Sequence, residues 1–257
     1  MDHLQWRVED HVAHIVFERP PANALAASVL SELSVVLDEI ESDTQVHAAV
    51  LYGEGRFFAA GADIKEFTNV ETSSGFSDLG TNGQKVFDKM EALTKPIIAA
   101  IHGAALGGGL EMAMACHLRV ATKDAKLGLP ETTLGLIPGY AGSQRLPELV
   151  GRPKAGEMIL TGLPITGEEA ERWGLVNKAV PEGEHVKAAV EIARHIASKS
   201  RITTEMGLEL LRYAIPSSRE EGSKKEAELF GRAFASEDAK EGIQAFIEKR
   251  KPAFKNK

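Results

Sequence analysis

Along the first fifty residues the apolar positions change spacing three times, and each change marks an element. From Leu4 to Glu9, and again from Val12 to Phe17, short apolar-rich runs flank an Asp10-His11 pair, the pattern of two paired strands about a tight turn. In the second run Val12, His14 and Val16 alternate with Ala13, Ile15 and Phe17, so both faces of that strand are expected to be partly buried. Pro20-Pro21 ends the hairpin. Over residues 24–40 the spacing becomes helical, with Leu30, Leu33, Val36, Leu37 and Ile40 on one face. Residues 47–52 return to a short apolar strand. Strand, helix, strand is the rhythm of an α/β fold.

Residues 69–83 are rich in Ser, Thr, Gly and Asn with little periodicity, which predicts a surface loop. A helix is expected from about residue 84 to 93, then buried strands over 96–101 and 118–122. Beyond Gly139 the pattern is mainly helical: 143–149, 154–161, 167–173, 185–198, 203–214, and 218–251 with breaks. No repeat of fixed period runs through the chain. This organisation predicts a core over residues 1–199 and an appended helical region over 200–257, which caps the core or holds subunits together.

The 257 residues are 43% hydrophobic and 26% charged, ordinary values for a globular chain, which excludes disorder along its whole length. The net charge of −7 argues against a general polyanion binder, because nucleic-acid affinity rests on clustered Lys and Arg. A locally basic tail, Glu248-Lys249-Arg250-Lys251 with Lys255 and Lys257, stands against that acidic whole and reads first as a solvated helix end. Cys116 is the only cysteine, which excludes an internal disulfide and a multi-cysteine metal site. Set within Met112-Ala-Met-Ala-Cys116, it reads as a small buried hydrophobe. None of the eight histidines has metal-ligand spacing, so no metal is expected. No run reaches the roughly 18 apolar residues of a membrane span. The first ten residues lack an apolar signal core and are too acidic for an organellar presequence, so a cytoplasmic location is expected.

Three segments concentrate the chemistry. In Phe58-Ala-Ala-Gly-Ala-Asp-Ile-Lys-Glu-Phe67, Asp63 followed three places later by Glu66 has the form of a capping box, which puts Gly61 and Ala62 just before a helix start. A backbone N–H there has no intrahelical partner and can stabilise negative charge on an oxygen; an ordinary capped helix after a turn is the competing explanation, and the one local physics favours. The second segment, His102-Gly-Ala-Ala-Leu-Gly-Gly-Gly-Leu-Glu-Met-Ala-Met-Ala115, follows a strand and opens an apolar helix. It is not a phosphate-binding P-loop, since no Lys-Ser or Lys-Thr follows its glycines. Either its backbone donors face a carbonyl oxygen or its glycines serve tight packing. Glu111 lies in that helix's first turn among Leu110, Met112, Ala113, Met114 and Ala115, and a Glu surrounded by apolar neighbours is costly without partners. In the third segment, residues 127–145, Glu131 follows a proline in a run otherwise apolar or small; an ordinary carboxylate at a helix N-terminus is the competing explanation.

Taken together, Ala59-Ala-Gly-Ala-Asp-Ile-Lys-Glu66, Ala105-Leu-Gly-Gly-Gly-Leu-Glu111, Pro130-Glu131, Ile137-Pro-Gly139, Gln144-Arg-Leu146 and Phe246-Ile-Glu-Lys-Arg-Lys251 resemble the crotonase, or enoyl-CoA hydratase/isomerase, family. The likeness runs over nearly the whole chain. It implies an α/β spiral of ββα units with a C-terminal helical region that mediates trimer formation, often as a dimer of trimers. It further implies an acyl-CoA substrate, with no cofactor beyond the coenzyme A that the substrate carries. The resemblance assigns the catalytic carboxylates to Glu111 and Glu131 and the oxyanion hole to the N–H groups of Ala62 and Gly108. Gly139 would sit near the water or the second carboxylate. Ala59, Ala60, Asp63, Ile64 and Lys65 would line the substrate and coenzyme A site, and Phe246 and Lys249 would complete it from a neighbouring subunit.

Hydratases of the family keep both acids, whereas isomerases commonly lose the one at the Glu111 position, so the pair favours hydration of 2-enoyl-CoA in acyl-CoA catabolism. An enoyl-CoA isomerase or a branched-chain hydratase is the nearest alternative, and a non-catalytic acyl-CoA-binding protein is a different class. Tyr140-Ala141, His117 and Phe67 depart from the family pattern and bear on acyl selectivity.

Overall fold

The computed structural model of the protein describes residues 1–63, 66, 73–214, 228, 230, 232 and 236–256, without the side chains of 73–78, 213 and 246. The expected hairpin forms as β1 (Leu4–Glu9) and β2 (Val12–Phe17), antiparallel in the register Leu4↔Phe17 to Glu9↔Val12. Asp10 and His11 both take positive φ, 50° and 63°, the conformation that matches a two-residue hairpin turn to strand twist. Next come α1 (Ala27–Ser42) and β3 (Ala48–Gly53). The predicted stripe of α1 is buried: Leu30, Leu33, Val36, Leu37 and Ile40 all face the core.

After β3 the chain winds in a spiral. A larger sheet has the order β1-β2-β3-β4-β6-β9, parallel from β2 onward, where β4 is Ile97–Ile101, β6 is Leu118–Thr122 and β9 is Lys178–Val180. A smaller sheet holds β5 (Ala104–Leu106), β7 (Lys126–Gly128) and β8 (Ile165–Thr166). The turns of the spiral repeat one motif. β4 lies in the large sheet, β5 in the small one, and α3 (Gly108–Ala115) follows; β6 and β7 repeat this before a 3₁₀ turn (Pro130–Leu134) and α4 (Gly142–Thr161). One turn earlier, β3 is followed by Ala59, which bridges to Ala105 beside the small sheet. This is the ββα spiral that the motifs imply. α5 (Gly167–Arg172) carries the capping box of this unit, Thr166 Oγ1 accepting from Glu169 N at 3.1 Å. α4 breaks at Gly151, where φ is 76°, as its two predicted pieces required.

The expected loop over 69–83 is corrected from residue 73 onward: α2 runs Ser73–Ala92, and residues 69–72 lie outside the described set. Gly80 and Gly83 are poor helix formers, and they defeat a reading by propensity. Tertiary packing explains them. An ideal Cβ on Gly80 would stand 3.3 Å from Gly139 O, and one on Gly83 only 2.2 Å from Tyr140 Cδ1. The helix is glycine-rich where another segment lies against it.

The chain divides into two compact units, Met1–Ala193 and Arg194–Lys257. α6 (His185–Ala197) crosses that division, and the second unit holds α7 (Arg201–Tyr213) and α8 (Glu237–Ile247). Within the second unit the Asp238 carboxylate, 2% exposed, accepts hydrogen bonds from Ser200 Oγ at 2.7 Å, Lys255 N at 2.7 Å and Asn256 N at 2.9 Å. Those bonds offset its desolvation and tie down the chain's last residues. No helix among the described residues is long and apolar enough to cross a membrane.

Candidate active site

The site forms where β5 turns into α3. Gly107 adopts φ 49° and ψ −126°, a region closed to residues with a side chain, and donates its N–H to Gly128 O at 2.9 Å. Each glycine of the Gly107-Gly-Gly109 run admits a different neighbour. An ideal Cβ on Gly109 would meet Ala59 O at 2.1 Å, and one on Gly107 would meet Glu131 Oε1 at 3.0 Å. At Gly108 it would stand 3.1 Å from Tyr140 Cε2 and 3.4 Å from Ala62 N. Tight packing against Ala59 accounts for Gly109, while Gly108 lies beside Tyr140 and the Ala62 N–H.

Gly108 is the first residue of α3, so its N–H has no intrahelical acceptor. Ala62 is bridged to Leu25 only through its neighbours, Leu25 N donating to Gly61 O at 2.8 Å and Asp63 N to Leu25 O at 2.9 Å. The N–H of Ala62 itself bonds to no described group. Two N–H groups without an acceptor among the described residues thus lie close together, at the positive end of a helix dipole.

Glu111 is 1% exposed in a helix whose every residue is buried. Its Oε1 accepts two backbone hydrogen bonds, from Tyr140 N at 2.9 Å and Gly142 N at 2.7 Å, while Oε2 bonds to no described group. Burial pushes the Glu111 carboxyl up to about 7; the Glu131 charge adds to that, and the Gly142 and Tyr140 N–H groups oppose it. Glu131 opens the 3₁₀ turn and ends with Oε1 against Gly107, its Oε2 buried without a hydrogen-bond partner; burial raises its pKa also. Two carboxyls that feel each other's charge lose their protons in two coupled steps.

This raises a pH dependence of stability. Between the ordinary value of 4.5 and about 7, folded Glu111 keeps a proton that the unfolded chain has released. The folded state binds more protons in that window, so Glu111 costs stability as pH rises through it, about 3 kcal/mol in all, with no further change above it. Urea midpoints at pH 5 and pH 8 check this: Glu111→Gln is expected to gain on the wild type between the two. Parallel shifts in both proteins would refute the assignment.

The other predicted residues have distinct places. Ala59 is fully buried, its N–H donating to Ala104 O and its carbonyl accepting from Leu106 N, both at 3.1 Å. Ala60 N donates to Ala22 O at 3.0 Å. In place of the return bond a capping box would make from Asp63 N to Glu66, Asp63 N donates to Leu25 O at 2.9 Å. Asp63 pairs with Arg19 Nη2 at 2.6 Å, and the Glu66 carboxylate accepts from Ala27 N at 2.9 Å, so it caps α1. Gly139 is exposed and its carbonyl accepts from Gln84 Nε2 at 2.9 Å. Ile64, Lys65 and Phe67 lie outside the described residues, as does the side chain of Phe246. Phe246 belongs to α8, and exposed Lys249 follows that helix with φ 54°, both in the second unit. His117 stands past the C-terminal end of α3, its Nδ1 accepting from Ile97 N at 3.0 Å; it serves the start of β4 rather than the site. Ala141 takes φ 69°, a left-handed conformation that glycine adopts at lower cost.

Sequence reasoning passed over the groups that hold Glu111. The N–H groups of Tyr140 and Gly142 are 29 and 31 residues away along the chain, and the signal for them was only the Pro138-Gly139 turn with a glycine at 142. Arg145 was also missed as a positioning residue. It is 7% exposed, pairs with Asp88 at 2.6 Å and Glu91 at 2.9 Å on α2, and donates from Nη1 to Tyr140 O at 3.1 Å. The segment that grips Glu111 is thereby fixed from its other side. Among the described residues no group of three or more His, Cys, Asp or Glu is arranged to hold a metal ion.

Comparison with known proteins places this geometry. The family model for enoyl-CoA hydratase/isomerase matches residues 7–257. The chain is 54% identical over 256 residues to a probable enoyl-CoA hydratase of Bacillus subtilis strain 168, covering 99% of each chain. It is 42% identical over 252 residues to the short-chain-enoyl-CoA hydratase of Clostridium acetobutylicum, covering 97% of this chain and 96% of that one. Among solved structures, an enoyl-CoA hydratase from Bacillus anthracis superposes with a TM-score of 0.95 at 36% identity, covering 99% of this chain and 100% of that one.

Proposed function

We propose that this chain, which belongs to the enoyl-CoA hydratase/isomerase family, adds water across the 2,3 double bond of a 2-enoyl-CoA to give a 3-hydroxyacyl-CoA. It is a hydro-lyase, and its substrate is an acyl-CoA. One observation carries the mechanism: the buried Glu111 carboxyl, which feels the Glu131 charge, and Glu131 with its buried Oε2 stand at the same glycine turn as two N–H groups that bond to no described group.

The thioester oxygen accepts from the N–H groups of Ala62 and Gly108. Negative charge accumulates on that oxygen as water attacks C3, and preorganised donors lower the energy of the enolate-like state. A pair of acids that shares one proton supplies a base and an acid at once. Glu111, whose Oε1 is held by two N–H donors, orients the water and, once ionised, takes its proton. Glu131, with Oε2 buried and bare, delivers a proton to C2. The water oxygen ends on C3, one proton ends on C2, and the carboxyl pair has exchanged roles. No cofactor or metal enters this scheme. Positioning of water and alkene between fixed groups supplies a further large share of the rate.

Loss of the conjugated thioester absorbance with crotonyl-CoA is the test. Turnover of crotonyl-CoA to 3-hydroxybutyryl-CoA is expected; no turnover of any 2-enoyl-CoA would overturn the proposal, and conversion of 3-enoyl-CoA alone would assign the isomerase reaction instead. For assembly we propose a homotrimer, or a pair of trimers. Exposed Leu134, Leu136, Ile137, Leu160 and Leu163, all close to the 3₁₀ turn and the end of α4, support a buried protein contact there. A monomeric mass by sedimentation equilibrium would exclude it.

A further inference from the structure

The mechanism uses the main chain of Tyr140 and leaves its side chain without a role. Yet Tyr140 is 8% exposed, and its ring packs against Gly108, beside the oxyanion donors. Its two edges touch two different helices. Cδ1 and Cε1 lie where a Cβ on Gly83 of α2 would stand, 2.2 and 2.4 Å away. Cδ2 and Cε2 lie against Gly108 of α3, 3.2 and 3.1 Å from its ideal Cβ. Phe87 abuts the ring edge-on with centroids 5.5 Å apart. The ring is a wedge between α2 and the first turn of α3.

The wedge has nowhere to retreat. The Tyr140 N–H is bonded to Glu111 Oε1 and its carbonyl to Arg145 Nη1, so both sides of the peptide are pinned. Gly83 accommodates the ring only because it has no Cβ, and Phe87 behind it is fully buried. An interior packed to this density does not yield to an extra group without strain.

An acyl chain would meet this wedge. With its thioester oxygen on Ala62 and Gly108 and its C3 beside Glu111, the substrate runs from Gly108 toward Glu111; the Tyr140 ring lies against the first and the Tyr140 N–H holds the second. We propose that the Tyr140 ring closes the acyl end of the site and restricts this enzyme to short enoyl thioesters. The inference rests on the hydratase reading above and adds the substrate class. A short chain ends before the ring; a longer one needs the space the ring occupies. Selection by a filled pocket is steep, since each methylene admitted or refused changes kcat/KM by about 10- to 200-fold.

The experiment compares kcat/KM for crotonyl-CoA and trans-2-decenoyl-CoA in the wild type, Tyr140→Ala, Tyr140→Leu and Tyr140→Phe, with circular dichroism on each. Wild type is expected to favour the short substrate by about 100-fold or more. Tyr140→Ala and Tyr140→Leu, which keep the N–H to Glu111, are expected to cut that preference by about 10-fold or more, while Tyr140→Phe, which keeps the ring, holds it. A wild type that hydrates both substrates with equal efficiency overturns the proposal even if neither truncated variant folds. So does a folded truncation with the wild-type preference. Either result leaves the hydratase reading standing; failure of the wild type on every enoyl-CoA removes both.

Discussion

Glu111→Gln and Glu131→Gln are each expected to fold as the wild type does and to lose about 10²- to 10⁴-fold in kcat for crotonyl-CoA hydration. Glutamine matches the shape of the acid, and its amide oxygen can still accept from Tyr140 N and Gly142 N, so the loop at 140–142 keeps its anchor. What the amide lacks is the ability to take up or release a proton. Because the two carboxyls share one task, their losses are expected not to add: the double variant should be little worse than the more damaged single one. The wild-type rate should also have an acid limb. Glu111 is pushed up to about 7 by burial and by the Glu131 charge, so activity that needs one ionised member falls as pH drops below that value, and either single variant changes that limb. A purified, folded single variant within about 3-fold of wild type would eliminate a paired-acid mechanism, which depends on both groups.

Where a residue's partners are close in sequence, the chain was readable. Both strands of the first hairpin and the α1 stripe follow from local spacing, because their period is the period of the structure. Glu111 stood out for a similar reason: a short helix apolar on all sides must bury whatever sits in it. What local spacing could not supply was the other end of each long-range contact. Asp63 and Glu66 have the form of a capping box, but Arg19 and Ala27, from 44 and 39 residues upstream, claim their carboxylates. The first half of α2 lacks a helical stripe because its glycines serve residues 139 and 140 rather than the helix itself. Strands β5, β7, β8 and β9 are only two or three residues long, too short to show a period of two. The family motifs carried what periodicity could not, since three of them hold the two ends of long-range contacts: Gly107 meets Glu131, and Gly108 meets Ala62.

The main-chain donors give the second large effect. Ala62→Pro deletes one N–H, and the local geometry makes it a sharper substitution than proline usually is. A proline normally costs a ladder hydrogen bond. Here the bridge to Leu25 runs through Gly61 O and Asp63 N, so the imino nitrogen removes only the donor that faces the site. The residue before it is a glycine at φ 117°, which has no Cβ to clash with the new ring. Loss of one donor to a developing oxyanion is expected to cost about 3 kcal/mol, or 10²- to 10³-fold in kcat. The effect should fall on kcat far more than on KM, because the donor gains strength only as charge builds on the oxygen. Gly108→Ala makes a contrasting variant. It keeps the N–H but inserts a methyl 3.4 Å from Ala62 N and 3.1 Å from Tyr140 Cε2, in the space between the two donors. That obstruction excludes the substrate oxygen in ground and transition states alike, so KM should rise along with the fall in kcat. Stopped-flow progress curves with crotonyl-CoA separate the two patterns. A folded Ala62→Pro protein with undiminished kcat would mean that the thioester oxygen is held elsewhere, and the pairing of Ala62 with Gly108 would have no catalytic meaning.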